Sequence, residues 1–97
     1  MLKEKVAVIT GASSGIGASS AKLLAQEEAT VVLAARREEK IRELALQIRA
    51  TGQKALDIRC DVTIRKEAEE LIHRTVKEFG RIDIDLIPSL SRLMSKS

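Results

Sequence analysis

The stretch Thr10-Gly11-Ala12-Ser13-Ser14-Gly15-Ile16-Gly17 decides how this chain is read. It follows a short apolar run, Val6-Ala7-Val8-Ile9, and opens a segment with helical spacing from Ile16 to Gln26. That strand-to-helix context separates a phosphate-binding turn from a chance glycine cluster. Gly11 lets the chain leave the strand with positive φ. Gly15 removes a side chain where backbone approaches a diphosphate, and Gly17 lets the helix lie close against the strand. Ser13 and Ser14 offer hydroxyls to phosphate oxygens. Amides at the helix start, Ile16 among them, add donors and partial positive charge.

The chain keeps alternating beyond the turn. Val31-Val32-Leu33-Ala34 reads as a second buried strand. The spacing predicts a second helix over 38–50, with Ile41, Leu44, Ala45 and Ile48 on one stripe and Gly52 in the favoured stop position. A third strand is expected over 55–60. A third helix follows over about 64–79, with Ala68, Leu71, Ile72, Val76 and Phe79 on its apolar side and Gly80 closing it. Ile82-Asp83-Ile84 begins a fourth strand. Short strands alternating with longer helices imply an α/β fold with a parallel sheet and right-handed crossovers.

Composition narrows the function classes. Ninety-seven residues allow one domain, with a thin stability margin. The net charge of +3 is spread as alternating Lys/Arg and Glu along helices, which reads as solvated faces and not as a nucleic-acid stripe. The lone Cys60, between Ile58 and Val62, reads as a core thiol. His73 lies off the third helix's apolar stripe and has no second His to share a metal, so no metal site is expected. No apolar run reaches the roughly 20 residues that span a bilayer. Met1 to Lys5 is charged, with no cleavage-type site nearby. The expectation is a cytoplasmic protein.

Thr10 to Gly17 matches the TGxxxGxG turn of the short-chain dehydrogenase/reductase family. The chain resembles that family further at Arg36-Arg37 after the second strand, Asp61-Val62 after the third, and Phe79-Gly80-Arg81-Ile82-Asp83-Ile84 leading into the fourth. The resemblance implies a partial Rossmann-like, doubly wound parallel sheet of about four strands, order 3-2-1-4, with three helices. It covers residues 1–84, an NAD(P)-binding half-domain. Residues 85–97 are expected to form a divergent, loosely ordered tail, at most with one short turn at Leu90, Leu93 and Met94. By the same resemblance, Asp61 accepts a hydrogen bond from the adenine amino group and Val62 packs on the ring. Asp61 and Thr63 are also good helix caps, so a structural role for Asp61 stands beside that one.

The cofactor follows from the end of the second strand. An NAD enzyme usually has Asp or Glu there to bond the ribose 2′-hydroxyl. This chain has Ala35, then Arg36 and Arg37. A guanidinium pairs with a 2′-phosphate that a carboxylate would repel. NADP(H) is therefore expected over NAD(H), with Arg36 the leading contact and Arg37 either a second contact or a solvated residue. Many NADP-preferring relatives also have a basic residue just before the second glycine of the turn, where this chain has Ser14.

The resemblance fails in four places. Asp85-Leu86-Ile87-Pro88 stands where the family has an Asn-Asn-Ala-Gly turn. A carboxylate at Asp85, in a buried strand position, is expected to end or fray the fourth strand. The family's catalytic Tyr, with its Lys four residues on and its Ser, has no counterpart, because the sequence contains no Tyr; no catalytic residue is assigned. Glu28 replaces a common Gly at a left-handed helix end, at a cost of about 1 kcal/mol. The leading expectation is the NADP-binding front part of a reductase, cut off by a frameshift or early stop and inactive alone. The helices of the family's usual dimer interface are missing too. The alternatives are a non-catalytic NADP(H)-binding or assembly module and, third, a small basic nucleic-acid-binding module.

Overall fold

The computed structural model describes residues 2–12 and 15–86. Expectations for Ser13, Ser14 and the tail beyond residue 86 lie outside the described residues. The elements are β1 (Val6–Thr10), α1 (Gly15–Gln26), β2 (Thr30–Ala35), α2 (Glu38–Arg49), β3 (Ala55–Arg59), α3 (Arg65–Phe79) and β4 (Ile84–Leu86). They build one parallel sheet, ordered β3-β2-β1-β4.

The central strands carry almost unbroken apolar runs because both their faces are covered. Successive side chains point to opposite faces, so the runs split between two cores. Ala7, Ile9, Val31 and Leu33 face α1 and α2, where they meet Ala21, Ala25, Ile41, Leu44, Ala45 and Ile48. Val6, Val8, Val32 and Ala34 face the other way and join Ile58, Cys60 and Leu71. On α1 the buried residues are both alanines, Ala21 and Ala25, which bring the helix axis close to the sheet. Its end turns left-handed at Glu28 (φ 73°), whose amide donates to the Ala25 carbonyl at 2.9 Å. The cost expected for a residue with a Cβ at this position therefore falls on the folded chain. At the far end of α2, the Arg49 guanidinium donates through Nε and Nη2 to the Ala55 carbonyl (2.9 and 2.7 Å), fastening the helix to the start of β3.

Two expectations need correction. The buried row of α3 is Leu71 and Thr75, with Ala68, Ile72 and Phe79 half-buried and Val76 45% exposed. The helix is rotated so that Thr75, which satisfies its hydroxyl by donating to the Leu71 carbonyl (2.8 Å), lies inward. One helix alone covers this face among the described residues, and the flank of its apolar stripe stays in solvent. The fourth strand begins at Ile84, not Ile82, and it continues through Asp85 instead of ending there. The reason lies at Asp83. Its amide donates to the Val6 carbonyl, and its carboxylate accepts the Val6 amide, both at 2.9 Å. These bonds fix the register before the strand starts, and Ala7, Val8 and Ile9 then pair with Ile84, Asp85 and Leu86. Arg81 (2.8 Å) and Lys5 (3.9 Å) compensate the Asp83 charge. No helix among the described residues is long and apolar enough to cross a membrane.

Candidate functional site

A parallel sheet directs the carboxyl ends of its strands to one edge, and ligands of open α/β sheets bind in the crevice outside that edge. At that edge lies an open cavity of about 590 Å³, lined by Thr10 and Gly11 from β1 and the turn, Ala34 and Ala35 at the end of β2 with Arg36 and Arg37 just after it, and Cys60 to Thr63 after β3. Five of the ten residues singled out from sequence line this one space: Gly11, Arg36, Arg37, Asp61 and Val62. Gly15, Ile16 and Gly17 open α1 beside it but are not part of its wall.

The glycines of the turn have different structural reasons. Gly11 adopts φ 68°, a left-handed conformation that a side chain disfavours. Its neighbour Ala12 is buried and donates its amide to the Ala34 carbonyl at 3.3 Å, which ties the turn to the end of β2. A Cβ on Gly17 would lie 2.9 Å from the Gly11 carbonyl carbon and 3.0 Å from Ala12 Cα, and closer still to the Gly11 carbonyl oxygen. The close approach thus involves the turn itself and not the strand, as the sequence reading had it. A Cβ on Gly15 would meet no atom of the other described residues within 4 Å. Nothing in the described chain demands a glycine there. Ile16 is 85% exposed, an unusual setting for a large apolar side chain.

Opposite the turn, Asp61 is held by local hydrogen bonds. Its Oδ1 accepts the Thr63 amide (3.0 Å) and hydroxyl (2.6 Å), and its own amide donates to Glu67 Oε1 at 2.9 Å. These bonds hold its carboxyl below the ordinary carboxylate range; the Thr63 hydroxyl contributes most, then the Thr63 amide, with Arg36 and Arg59 adding positive charge against some desolvation. Asp61 does not cap α3, which begins at Arg65 after Ile64 with no side-chain cap. It forms a turn in the loop ahead of the helix. Thr63 and Glu67, which hold that turn, were not singled out from sequence as its supports; Asp-x-Thr is the signal that could have found the first of them. The buried Cys60 thiol is pushed up by burial first, then by Glu67 and Asp61, so it stays protonated near neutral pH. His73 is exposed on α3, away from the cavity lining.

The family model described as short chain dehydrogenase matches residues 5–87. An A-factor type gamma-butyrolactone 1′-reductase (1S-forming) of Streptomyces virginiae is 46% identical over 83 residues, covering 86% of this chain and 32% of that protein. A metagenomic short-chain oxidoreductase, solved in complex with NADP, superposes with a TM-score of 0.82 at 37% identity, over 86% of this chain and 38% of its own. A short chain dehydrogenase/reductase from Burkholderia phymatum, solved in complex with NAD, gives 0.83 at 31% identity, over 87% and 30%. The chain thus spans about a third of the length of the proteins it matches. With a family match over residues 5–87 and this sheet architecture, the chain belongs to the short-chain dehydrogenase family, whose members use an NAD(P) cofactor.

Proposed function

We propose that this chain binds NADP(H) in preference to NAD(H) as the cofactor-holding portion of an oxidoreductase. The observation that carries this reading is the cavity wall, where Arg36 and Arg37 follow a buried Ala35 in place of a carboxylate. The arrangement fits the group. The cavity is of nucleotide size, the first turn of α1 opens beside it with its partial positive charge, and Gly15 leaves room that no atom of the described residues fills. Gly11, Gly15, Ile16 and Gly17 would hold the diphosphate against backbone amides, with Ser13 and Ser14 as further donors. Arg36, seconded by Arg37, would pair with the 2′-phosphate. Asp61, ionised and pre-oriented by Thr63, would accept from the adenine amino group while Val62 lies on the ring. When bound, the nicotinamide supplies hydride chemistry. The 97 residues contain no Tyr to act as general acid or base, so this chain alone is proposed to bind without turnover. A cytoplasmic location belongs to the same proposal and suits a lone buried thiol.

Titration of the purified chain with NADPH and NADH tests the reading. NADPH is expected to bind at least roughly tenfold tighter, since a charge-assisted hydrogen bond contributes about 1.5–3 kcal/mol. Arg36→Asp should abolish that difference. Equal affinity of the wild-type chain for the two nucleotides would refute the preference, and no binding of either would refute the cofactor role.

A further inference from the structure

A phosphate monoester carries close to two negative charges at neutral pH and three acceptor oxygens, so Arg36 and Arg37 on the β2 side leave acceptors open to a cation from the side of the glycine turn. The glycine-rich turn itself offers no cation, since no residue from Gly11 to Gly17 is basic. The fold brings one from elsewhere. On α2 the row Ile41, Leu44, Ala45 and Ile48 is buried against the sheet, and Lys40 stands just ahead of it in the first turn. Lys40 lines two surface hollows. One, of about 450 Å³, it shares with Arg37; the other, of about 220 Å³, it shares with Ala12 and Ala18 on the side of the glycine turn. It therefore borders both segments between which the adenosine ribose must lie if the main cavity holds a dinucleotide. Arg42, the next cation along the helix, is already paired with Glu38. Among the described residues Lys40 is in no ion pair. Glu39 lines the first hollow and Glu43 the second. Their charge weakens the place for a free anion and favours a phosphate delivered on a ribose that is anchored elsewhere.

We infer that Lys40 is a specificity-determining residue that acts with Arg36 on the 2′-phosphate and takes the part of the basic residue missing from the turn. This rests on the NADP(H) reading above. The test measures binding of NADPH, NADH, adenosine 2′,5′-bisphosphate and adenosine 5′-monophosphate to the full chain in the wild type and in Lys40→Met, Lys40→Arg and Arg36→Asp. Lys40→Met should weaken NADPH and the bisphosphate about fivefold, as suits a solvent-exposed ion pair, and leave the other two nucleotides unchanged. Lys40→Arg should restore the wild-type pattern, and added salt should narrow the gap between wild type and Lys40→Met. The melting temperature, read alongside, should not move, because the side chain is exposed. If Lys40→Met affects all four nucleotides equally, or none, the inference is overturned. Loss of the preference in Arg36→Asp with its undiminished retention in Lys40→Met overturns the role of Lys40 and leaves the cofactor reading standing. A wild-type chain without preference for NADPH overturns both.

Discussion

Substituting alanine at two glycines of the same turn should have opposite consequences. At Gly17 the added Cβ would press against the Gly11 carbonyl and approach Ala12 Cα to 3.0 Å, and both atoms are backbone. Gly11 cannot retreat easily, since it is held at φ 68° between β1 and an Ala12 whose amide is bonded to β2. Overpacking of this kind costs about 1–3 kcal/mol. Alanine's better helix propensity returns up to about 1 kcal/mol, less in a first turn. A net loss of about 1–2 kcal/mol remains, equivalent to roughly 10 °C in melting temperature for a domain of this size. At Gly15 the new methyl meets nothing among the described residues within 4 Å and the backbone is not left-handed. Alanine there restricts the unfolded chain and should leave stability unchanged or raise it by about 0.5 kcal/mol. If Gly15 is kept for close approach of a diphosphate, Gly15→Ala should still weaken NADPH binding roughly tenfold. Thermal melts by circular dichroism, with NADPH titrations on the same samples, separate the two effects. Equal stability of the two variants would refute the steric argument. Undiminished NADPH binding by Gly15→Ala would remove the proposed reason for that glycine.

Further outcomes follow from other sites. Glu28→Gly should raise stability by about 1 kcal/mol, read from the urea midpoint, because φ 73° burdens a residue with a Cβ. Leu71→Ala, which removes one of the most buried side chains on the α3 face, should cost about 2–4 kcal/mol in the same assay. The Asp83 carboxyl is held below its ordinary value, first by its hydrogen bond to Arg81 and then by the Val6 amide, with the Arg81 and Lys5 charges adding to this against some desolvation. A carboxyl lowered on folding contributes stability that is complete above its unfolded value, about pH 4, and is lost as pH falls through the lower folded value. Acid titration should therefore show the wild-type advantage over Asp83→Asn present at pH 6 and shrinking below about pH 4; a constant gap across that range would contradict the arrangement.

Much of the architecture was legible because it rests on local pattern. The two buried apolar runs of β1 and β2, glycines at the stops after α2 and α3, and the inward row of α2 are short-range signals that the sheet uses directly. The turn from Thr10 to Gly17 was legible for the same reason, and so was the family. The misses arose where a tertiary partner decides. A polar Thr75 lies inward on α3 because its hydroxyl finds the carbonyl one turn back, and no hydrophobic count finds that. The start of β4 moved because Asp83 bonds Val6 across 77 positions of sequence, a contact that periodicity cannot register. Lys40 escaped notice for a related reason. Its place beside the turn depends on how α2 lies against α1, which becomes visible only once both are docked on the sheet.

The position of β1 in the middle of the sheet has a consequence for how the chain acquires its shape. Its partner on one side, β2, is synthesised some twenty-five residues later, whereas β4 arrives only after three helices have been made. Closing the longer loop costs more chain entropy, and it is repaid by only three rungs of ladder. The β2 flank of the first strand is thus closed by a short connection and five ladder pairs, and the β4 flank by a long one and three. In the finished molecule that late seam is the natural place for backbone amides to exchange with solvent before the β1–β2–β3 core opens.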